Sequence, residues 1–344
     1  MTDLNGIARV KAAFKGKFAD YIPAYPIMGA YTAKLNGLPV KKYFKDAKVF
    51  SQCQFDAFER YLPDVVVMMG DLTMEAEAFG ASVDFLDDAV PQIKKSYLKD
   101  KSVIKDIIQP DPRKNARLPF YLEACERIAA MKLPSPIGSV INGPWATASA
   151  LRGLEAIIMD TFDDEAFIHS LMEITTEITL NFALEISKLG IGVSLSEAPA
   201  SCSVISPDIY EKFILPYHQS IVKTMAEKRA GVTIHVCGSA DPILELLVET
   251  KASAYSIDSP TSLDKILSLC KEKSVVIGNV STELFQSGSK QDMENAVREC
   301  IKVANKGTRF ILSSGCEIPI TTKPETVSTF MDAAREFGRI DNVL

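Results

Sequence analysis

The sequence contains no uninterrupted apolar run of the roughly 18 residues that a membrane-spanning helix requires. It also lacks an excess of positive charge, because 44 acidic residues outnumber 38 lysines and arginines and leave a net charge of −6. Such a charge disfavours nucleic acid or an anionic membrane as the main partner. Residues 1–18 indicate an amphipathic helix without the apolar centre of a signal peptide. We therefore expect a cytoplasmic protein with neither kind of partner.

Disulfide bonds are not expected, although the sequence has seven cysteines. Their number is odd, their spacing matches no disulfide framework, and a chain of 344 residues can bury a core without covalent staples. We expect most of them to be small buried apolar groups. The cysteines that fall in helical patterns are Cys53, Cys125, Cys270 and Cys300.

Eight short apolar runs alternate with segments of helical periodicity, and this pattern predicts a (β/α)8 TIM barrel in the α/β class. No G-x-G-x-x-G loop follows the first run, which disfavours a doubly wound nucleotide-binding sheet. We expect a single domain over residues 1–344, with an N-terminal helical extension. We also expect an insertion over 81–134, after the second strand, that covers the barrel mouth. The predicted strands are residues 21–28, 64–69, 136–142, 190–196, 232–237, 253–258, 274–279 and 309–314.

Histidine is scarce, with three residues in the chain, and one of them stands two positions from a cysteine. His235 and Cys237 belong to the fifth predicted strand, so their side chains point to the same face. Barrel sites lie at the C-terminal strand ends, and Cys316 follows the eighth strand. One imidazole and two thiolates are ligands that zinc accepts, and catalytic zinc usually keeps one open position. A pair of core side chains without metal is the alternative for His235 and Cys237.

Other polar side chains also follow predicted strands, where a barrel places its active site. Glu197 and Asp258 are candidate catalytic residues, because a carboxylate there can hold a substrate or orient His235. Glu197 could also occupy the open zinc position, whereas Asp71 and Asp258 could instead cap helices. Five further residues at strand ends are expected to bind substrate: Met28, Tyr31, Asp71, Asn142 and Asn279.

Four segments resemble the uroporphyrinogen decarboxylase superfamily and, more closely, its zinc-dependent branch of methylcobamide:coenzyme M and related corrinoid methyltransferases. They are HVCG (235–238), SIDSP (256–260), VVIGNVST (275–282) and FILSSGCEIPITTKPE (310–325). The resemblance covers nearly the whole chain, and its most specific element is the H-x-C…C zinc pattern of His235, Cys237 and Cys316. It implies a (β/α)8 barrel and a zinc ion that binds the thiol of a methyl acceptor such as coenzyme M.

The resemblance also implies a partner, because the methyl group would come from a methylated corrinoid (methylcobalamin) carried by a separate corrinoid protein. We expect the segments 28–37, 81–134 and 142–151 to frame the mouth through which the corrinoid enters. Tyr31 and Trp145 would be apolar contacts at this entrance, and a buried packing role is the alternative for Trp145.

Two departures from the superfamily bear on the reaction. Its decarboxylases hold a substrate with eight carboxylates through an arginine-containing motif near the first strand, whereas no arginine occurs here between Arg9 and Arg60. The second departure is that Glu197 is followed by Ala-Pro, whereas we would expect Asp-Pro. This difference bears on which residues form the acceptor pocket. A zinc-dependent methyltransferase acting on a thiol is the favoured interpretation. The alternatives are a decarboxylase-type lyase, a non-catalytic binder of corrinoid proteins and a fold stabilised by structural zinc. Another zinc-assisted alkyl transfer, such as transfer to a pterin or homocysteine, is also open.

Overall fold

The computed structural model describes residues 4–270, 273–304 and 308–339, so residues 1–3 of the predicted N-terminal helix lie outside the described residues. Eight parallel strands form a nearly closed barrel with helices around it, which confirms the predicted (β/α)8 fold. The strands are β1 (Ala24–Ile27), β2 (Val66–Met69), β3 (Ser82–Asp84), β4 (Gln92–Lys95), β5 (Ile137–Asn142), β6 (Gly192–Ser196), β7 (Val232–Val236), β8 (Ala254–Ile257), β9 (Val275–Val280) and β10 (Phe310–Glu317).

The barrel strands are hydrogen-bonded in the order β2-β5-β6-β7-β8-β9-β10-β1. At the seam between β1 and β2, the Asp64 N–H donates a hydrogen bond of 2.9 Å to the Ala24 carbonyl. Each of the eight strands coincides with a predicted apolar run. β10 continues beyond its predicted end at residue 314, and this extension keeps Cys316 on the strand.

Helices surround the barrel, and several begin at side chains that cap them. Asn5 accepts a hydrogen bond of 2.9 Å from the Ala8 N–H, and Ser206 caps a helix that starts with Pro207. None of the described helices is long and apolar enough to cross a membrane. The helices are α1 (Gly6–Phe14), α2 (Tyr31–Leu35), α3 (Val40–Tyr43), α4 (Ala47–Tyr61), α5 (Met74–Ala78), α6 (Leu118–Ala130), α7 (Pro144–Arg152), α8 (Leu154–Asp163), α9 (Glu165–Ser187), α10 (Pro207–Phe213), α11 (Leu215–Glu227), α12 (Leu244–Glu249), α13 (Leu263–Cys270), α14 (Thr282–Ser287), α15 (Lys290–Ala304) and α16 (Pro324–Phe337).

The insertion after β2 is shorter than predicted. Its last part is α6, which packs on α4 and connects β2 to β5 as an ordinary barrel helix. The extra structure is the antiparallel β3–β4 hairpin and the turn of helix at 101–106. The hairpin region contacts segments that follow β1 and β5, since Val40 N–H donates to Asp87 O and Leu98 N–H to Leu151 O, both at 2.9 Å.

The buried apolar residues form two clusters, one on each side of the barrel wall. The larger cluster fills the space between the strands and the surrounding helices. The smaller one lies inside the barrel, because alternate residues of a strand point to opposite faces. Ala13 and Val10 of α1 pack against this inner cluster, so α1 covers the N-terminal end of the barrel.

Candidate metal centre and barrel cavity

The structure brings His235, Cys237 and Cys316 together at the C-terminal end of the barrel. His235 lies on β7, Cys237 follows directly, and Cys316 lies on β10, which is separated from β7 by β8 and β9 in the sheet. His235 Nε2 is 3.1 Å from Cys237 Sγ, which is 2.9 Å from Cys316 Sγ. The three potential ligand atoms all lie within 4.8 Å of one another.

The two thiols influence each other's protonation. The hydrogen bond from Cys237 lowers the pKa of Cys316, and His235 adds to this effect. The same hydrogen bond, together with burial, raises the pKa of Cys237. One sulfur therefore loses its proton more easily than the other, and the cluster presents a soft anionic donor beside an imidazole. This donor set is the one that zinc prefers, with three protein ligands and room for a fourth.

Ser256 and the backbone of Glu197 fix the orientation of the His235 side chain and strand. Ser256, at the register position of β8 that pairs with His235, places Oγ 2.9 Å from His235 Nδ1. The Glu197 N–H donates to the His235 carbonyl at 2.8 Å. With Nδ1 engaged, Nε2 is the nitrogen that faces the thiols. Ser256 was not among the residues expected at the site.

Asp258 holds the turn that follows Cys237. Its carboxylate accepts hydrogen bonds from the N–H groups of Gly238 (2.9 Å) and Ser259 (2.7 Å). Gly238 has a φ of +64°, which only glycine adopts readily. Asn279 supports the same loop by donating to Asp258 O at 3.2 Å and Thr261 O at 2.9 Å. Asp258 thus lies next to the ligand cluster, and a direct role of Asp258 or Asn279 towards substrate stays a prediction.

Glu197 is buried and does not face the three ligand atoms. Its carboxylate accepts hydrogen bonds from the N–H groups of Trp145 (3.2 Å) and Ala146 (2.8 Å) and pairs with His218 Nε2 at 2.8 Å. The two N–H groups belong to the first turn of α7, where the helix dipole favours a negative charge. The hypothesis that Glu197 occupies the open zinc position is therefore wrong. Its catalytic role stays a prediction and would act through α7 and the β7 backbone.

Asp71 and Asn142 lie in a buried polar cluster after β2 and β5. Asp71 forms an ion pair with Arg117 and accepts a hydrogen bond from the Thr73 N–H at 3.0 Å. The Asn142 N–H donates to Glu75 Oε1 at 2.9 Å. Burial raises the pKa of Glu75 to about 8, so this carboxyl group is mostly neutral at pH 7. Substrate binding by Asp71 or Asn142 stays a prediction, and the contacts shown here are internal to the protein.

The aromatic side chains expected at the entrance are buried instead. Tyr31 is 1% exposed and its hydroxyl lies 2.7 Å from that of Tyr61 on α4. Trp145 is fully buried and donates from Nε1 to Pro199 O at 3.2 Å. Both residues lie in the first turn of a helix, and their side chains turn towards the helix layer. Because both side chains are buried, neither Tyr31 nor Trp145 is an apolar contact at the surface of the mouth. Met28 belongs to the same outer cluster, and its binding of substrate stays a prediction.

Glu317 is a further residue at the site, although it was not among those expected to bind metal or substrate. It follows Cys316 directly, and its Oε1 accepts a hydrogen bond of 2.7 Å from the Ala30 N–H. Burial raises the pKa of Glu317 to about 7. The available signal was its position directly after Cys316, at the end of the eighth strand where the barrel mouth lies.

A cavity of about 290 Å³ extends from the ligand cluster into the barrel. His235, Cys237, Cys316 and Glu317 contribute to its wall at one end, and Val10 and Phe14 of α1 at the other. A ligand held at the three donor atoms would therefore have protein-enclosed space beneath it.

Comparisons with known proteins place this geometry in a family. The family model described as "Uroporphyrinogen decarboxylase (URO-D)" matches residues 6–337. The "Methylcobamide:CoM methyltransferase MtbA" of Methanosarcina acetivorans is 26% identical over 281 residues, which are 78% of each chain. The "Methylated-thiol--coenzyme M methyltransferase" of Methanosarcina mazei is 23% identical and covers 100% of this chain and 93% of its own.

A solved structure shares the architecture. A methyltransferase from Methanosarcina mazei superposes with a TM-score of 0.88 at 21% identity, covering 97% of this chain and 99% of its own. At this identity the superposition supports the fold, and the family follows from the match of the family model over nearly the whole chain. The chain belongs to the uroporphyrinogen decarboxylase family, as its motifs indicated.

Proposed function

We propose that this protein is a zinc-dependent methyltransferase that moves a methyl group from a methylated corrinoid, carried by a partner protein, to a thiol. The observation that carries the proposal is the convergence of His235, Cys237 and Cys316 at the mouth of the barrel, within 4.8 Å of one another. The names of relatives such as the MtbA protein of Methanosarcina acetivorans describe the same class of reaction and support the proposal.

His235 Nε2 and the two sulfurs would hold the metal, because these are the donor atoms that face one another. When bound, zinc supplies a Lewis acid that keeps the substrate thiol as a thiolate at neutral pH. Ser256 keeps the imidazole in the required orientation, and Asp258 keeps the backbone after Cys237 in place. The protein's contribution is thus mainly positioning, which is what a displacement reaction needs.

The transfer balances without a further reactant. The lone pair of the substrate sulfur forms the new sulfur–carbon bond, and the carbon–cobalt bond breaks with its electron pair left on the corrinoid. The proton of the thiol would leave to solvent as the sulfur becomes a thiolate. No general acid in the protein is required for the leaving group.

Two alternative functions fit the structure less well. A decarboxylase acting on eight carboxylates needs cationic side chains, and within the described parts of the chain no lysine or arginine lines the cavity. A zinc site that only stabilises the fold usually has four protein ligands, whereas three residues cluster among those described.

The reaction can be tested with free methylcobalamin, followed by its visible spectrum. We expect demethylation that depends on both zinc and a thiol, and we expect Cys237→Ala to abolish it while the cognate corrinoid protein still binds. The proposal would be contradicted if the wild type bound the corrinoid protein but transferred no methyl group to any thiol of a panel. That result would favour the non-catalytic alternative.

A further inference from the structure

The inner wall of the barrel is asymmetric. Barrel interiors are usually filled by valine, isoleucine and leucine. Here the inward positions of the neighbouring strands β5 and β6 carry mainly small residues, among them Gly138, Gly192, Ser194 and Ser196, with Val140 as the larger one. A Cβ atom added at Gly138 or Gly192 would find its nearest neighbour no closer than 3.7 Å, so space exists beside both residues.

The opposite wall is large and apolar. Tyr25, Ile27, Val67, Met69 and Ile311 face the small residues from β1, β2 and β10. The difference between the two walls leaves the cavity of about 290 Å³. An enclosed apolar cavity of about 150 Å³ already holds a benzene molecule in another protein. The barrel therefore has room for a substituent larger than a phenyl ring.

The cavity is also poor in positive charge. No lysine or arginine lines it among the described residues, and its one carboxyl group belongs to Glu317, next to the sulfurs of Cys237 and Cys316. Arg117, after the hairpin, is engaged by Asp71 and Glu77. An anionic group placed in the cavity would have no counter-ion, and burying an unpaired charge is strongly unfavourable.

Direction of approach determines which part of the acceptor enters the cavity. If the proposed function is right, the bulky corrinoid reaches the substrate sulfur from the open mouth. The substituent carried by that sulfur must then point the other way, past His235 and Cys316, into the barrel. We infer that the acceptor is an uncharged thiol, rather than an anionic thiol of the coenzyme M type, and that its alkyl or aryl substituent lies inside the barrel. This inference rests on the proposed function.

Thiol binding to the full-length cobalt(II)-substituted protein tests this inference, because sulfur ligation gives a visible sulfur-to-cobalt band. The probes are ethanethiol, 2-phenylethanethiol, coenzyme M and the uncharged methyl sulfone of the same length as coenzyme M. We expect 2-phenylethanethiol to bind at least about tenfold more tightly than coenzyme M, and the sulfone to bind more tightly than the sulfonate. Coenzyme M binding as tightly as its sulfone, or more tightly, would overturn the inference.

A bulky substitution inside the barrel gives a second test. Ser194 lies one inward position below Ser196, which pairs with His235 in the sheet. Ser194→Leu should weaken 2-phenylethanethiol binding by about tenfold and leave ethanethiol binding within about threefold. The matched control is Leu195→Met, a change on the helix-facing side of the same strand. Should Ser194→Leu not fold, Gly192→Val on the same strand tests the same wall.

The outcomes separate the inference from the proposed function. Equal binding of all four thiols, or no effect of the filling variants, would overturn the inference and leave thiol activation intact. If ethanethiol itself gives no sulfur-to-cobalt band, thiol activation at this site is wrong, and the inference is wrong with it.

Discussion

Ser256 Oγ lies 2.9 Å from His235 Nδ1, on the adjacent strand and at the position that pairs with His235 in the sheet. The hydroxyl is therefore hydrogen-bonded to the ring nitrogen that does not face the thiols. Partners of this kind orient metal-binding histidines and strengthen their ligation. The relation is built into the barrel wall, because register fixes the two residues side by side.

Ser256→Ala should weaken zinc binding by about tenfold, since the imidazole loses its orienting hydrogen bond. Competition with a chromophoric chelator measures the affinity. Ser256→Thr keeps a hydroxyl at this position and should restore much of the affinity. Unchanged affinity in Ser256→Ala would show that the backbone alone orients His235.

Removal of a ligand should separate metal binding from folding. His235→Ala and Cys316→Ala are expected to lose most of the bound zinc, while their melting temperatures stay within about 4 °C of the metal-free wild type. The cluster lies at the mouth, outside the main apolar core. Metal analysis and thermal unfolding on the same samples decide the matter.

Cys202→Ala is the matched control, because Cys202 is a free cysteine near the mouth that does not belong to the ligand cluster. It should keep its zinc. Full zinc in both ligand variants would refute the assignment, and outright unfolding of both would make the metal structural.

Glu197→Gln should lower the free energy of unfolding by about 2 kcal/mol without loss of zinc. The amide NH₂ cannot accept from all of the donors that now reach the carboxylate, at Trp145, Ala146 and His218. Denaturant unfolding measures the change in stability, and metal analysis shows whether the zinc is retained. The control is Glu165→Gln, which alters an exposed ion pair with Lys212 and should change stability by less than about 0.5 kcal/mol. If a stable Glu197→Gln protein lost its zinc, Glu197 would have to be a ligand of the metal.

The contribution of Glu75 to stability should fall as pH rises from about 5 to 8. The pKa of Glu75 is raised from 4.5 to about 8, chiefly by burial, with Asp71 raising it and Arg117 opposing. In this window the folded state binds the proton and the unfolded state does not, so unfolding becomes easier by up to about 1.4 kcal/mol per pH unit. Glu317, whose pKa is about 7, acts in the same direction.

Glu75→Gln resembles the protonated carboxyl group and should flatten much of this dependence. Urea unfolding at several pH values measures it. A variant with the same pH profile as the wild type would show that Glu75 is ionised in the folded protein at neutral pH.

Much of the barrel could be predicted from the sequence because a buried parallel strand is a local apolar run. The pair His235 and Cys237 could be placed on one face because strand periodicity is local too. The helix α9 and the Ser206 cap of α10 are likewise set by residues close together in the sequence. Contacts between distant segments were predictable only where strand ends must meet, as for Cys316.

Other features depend on how loops turn after the strands. Glu197 and Tyr31 follow strands as expected, yet one points to α7 and the other to α4. The predicted insertion over 81–134 is too long because it includes α6, which is the ordinary barrel helix that links β2 to β5. The cavity arises from the summed size of side chains on several strands, which no local pattern reports.

The measurement that tests the central claim most directly is zinc X-ray absorption of the full-length protein before and after addition of ethanethiol. The account predicts about one zinc ion per chain, with one nitrogen and two sulfur ligands at rest. On addition of the thiol, a third sulfur should enter and about one proton should be released. A protein without zinc, or a zinc shell that does not change when the thiol is added, would contradict the account.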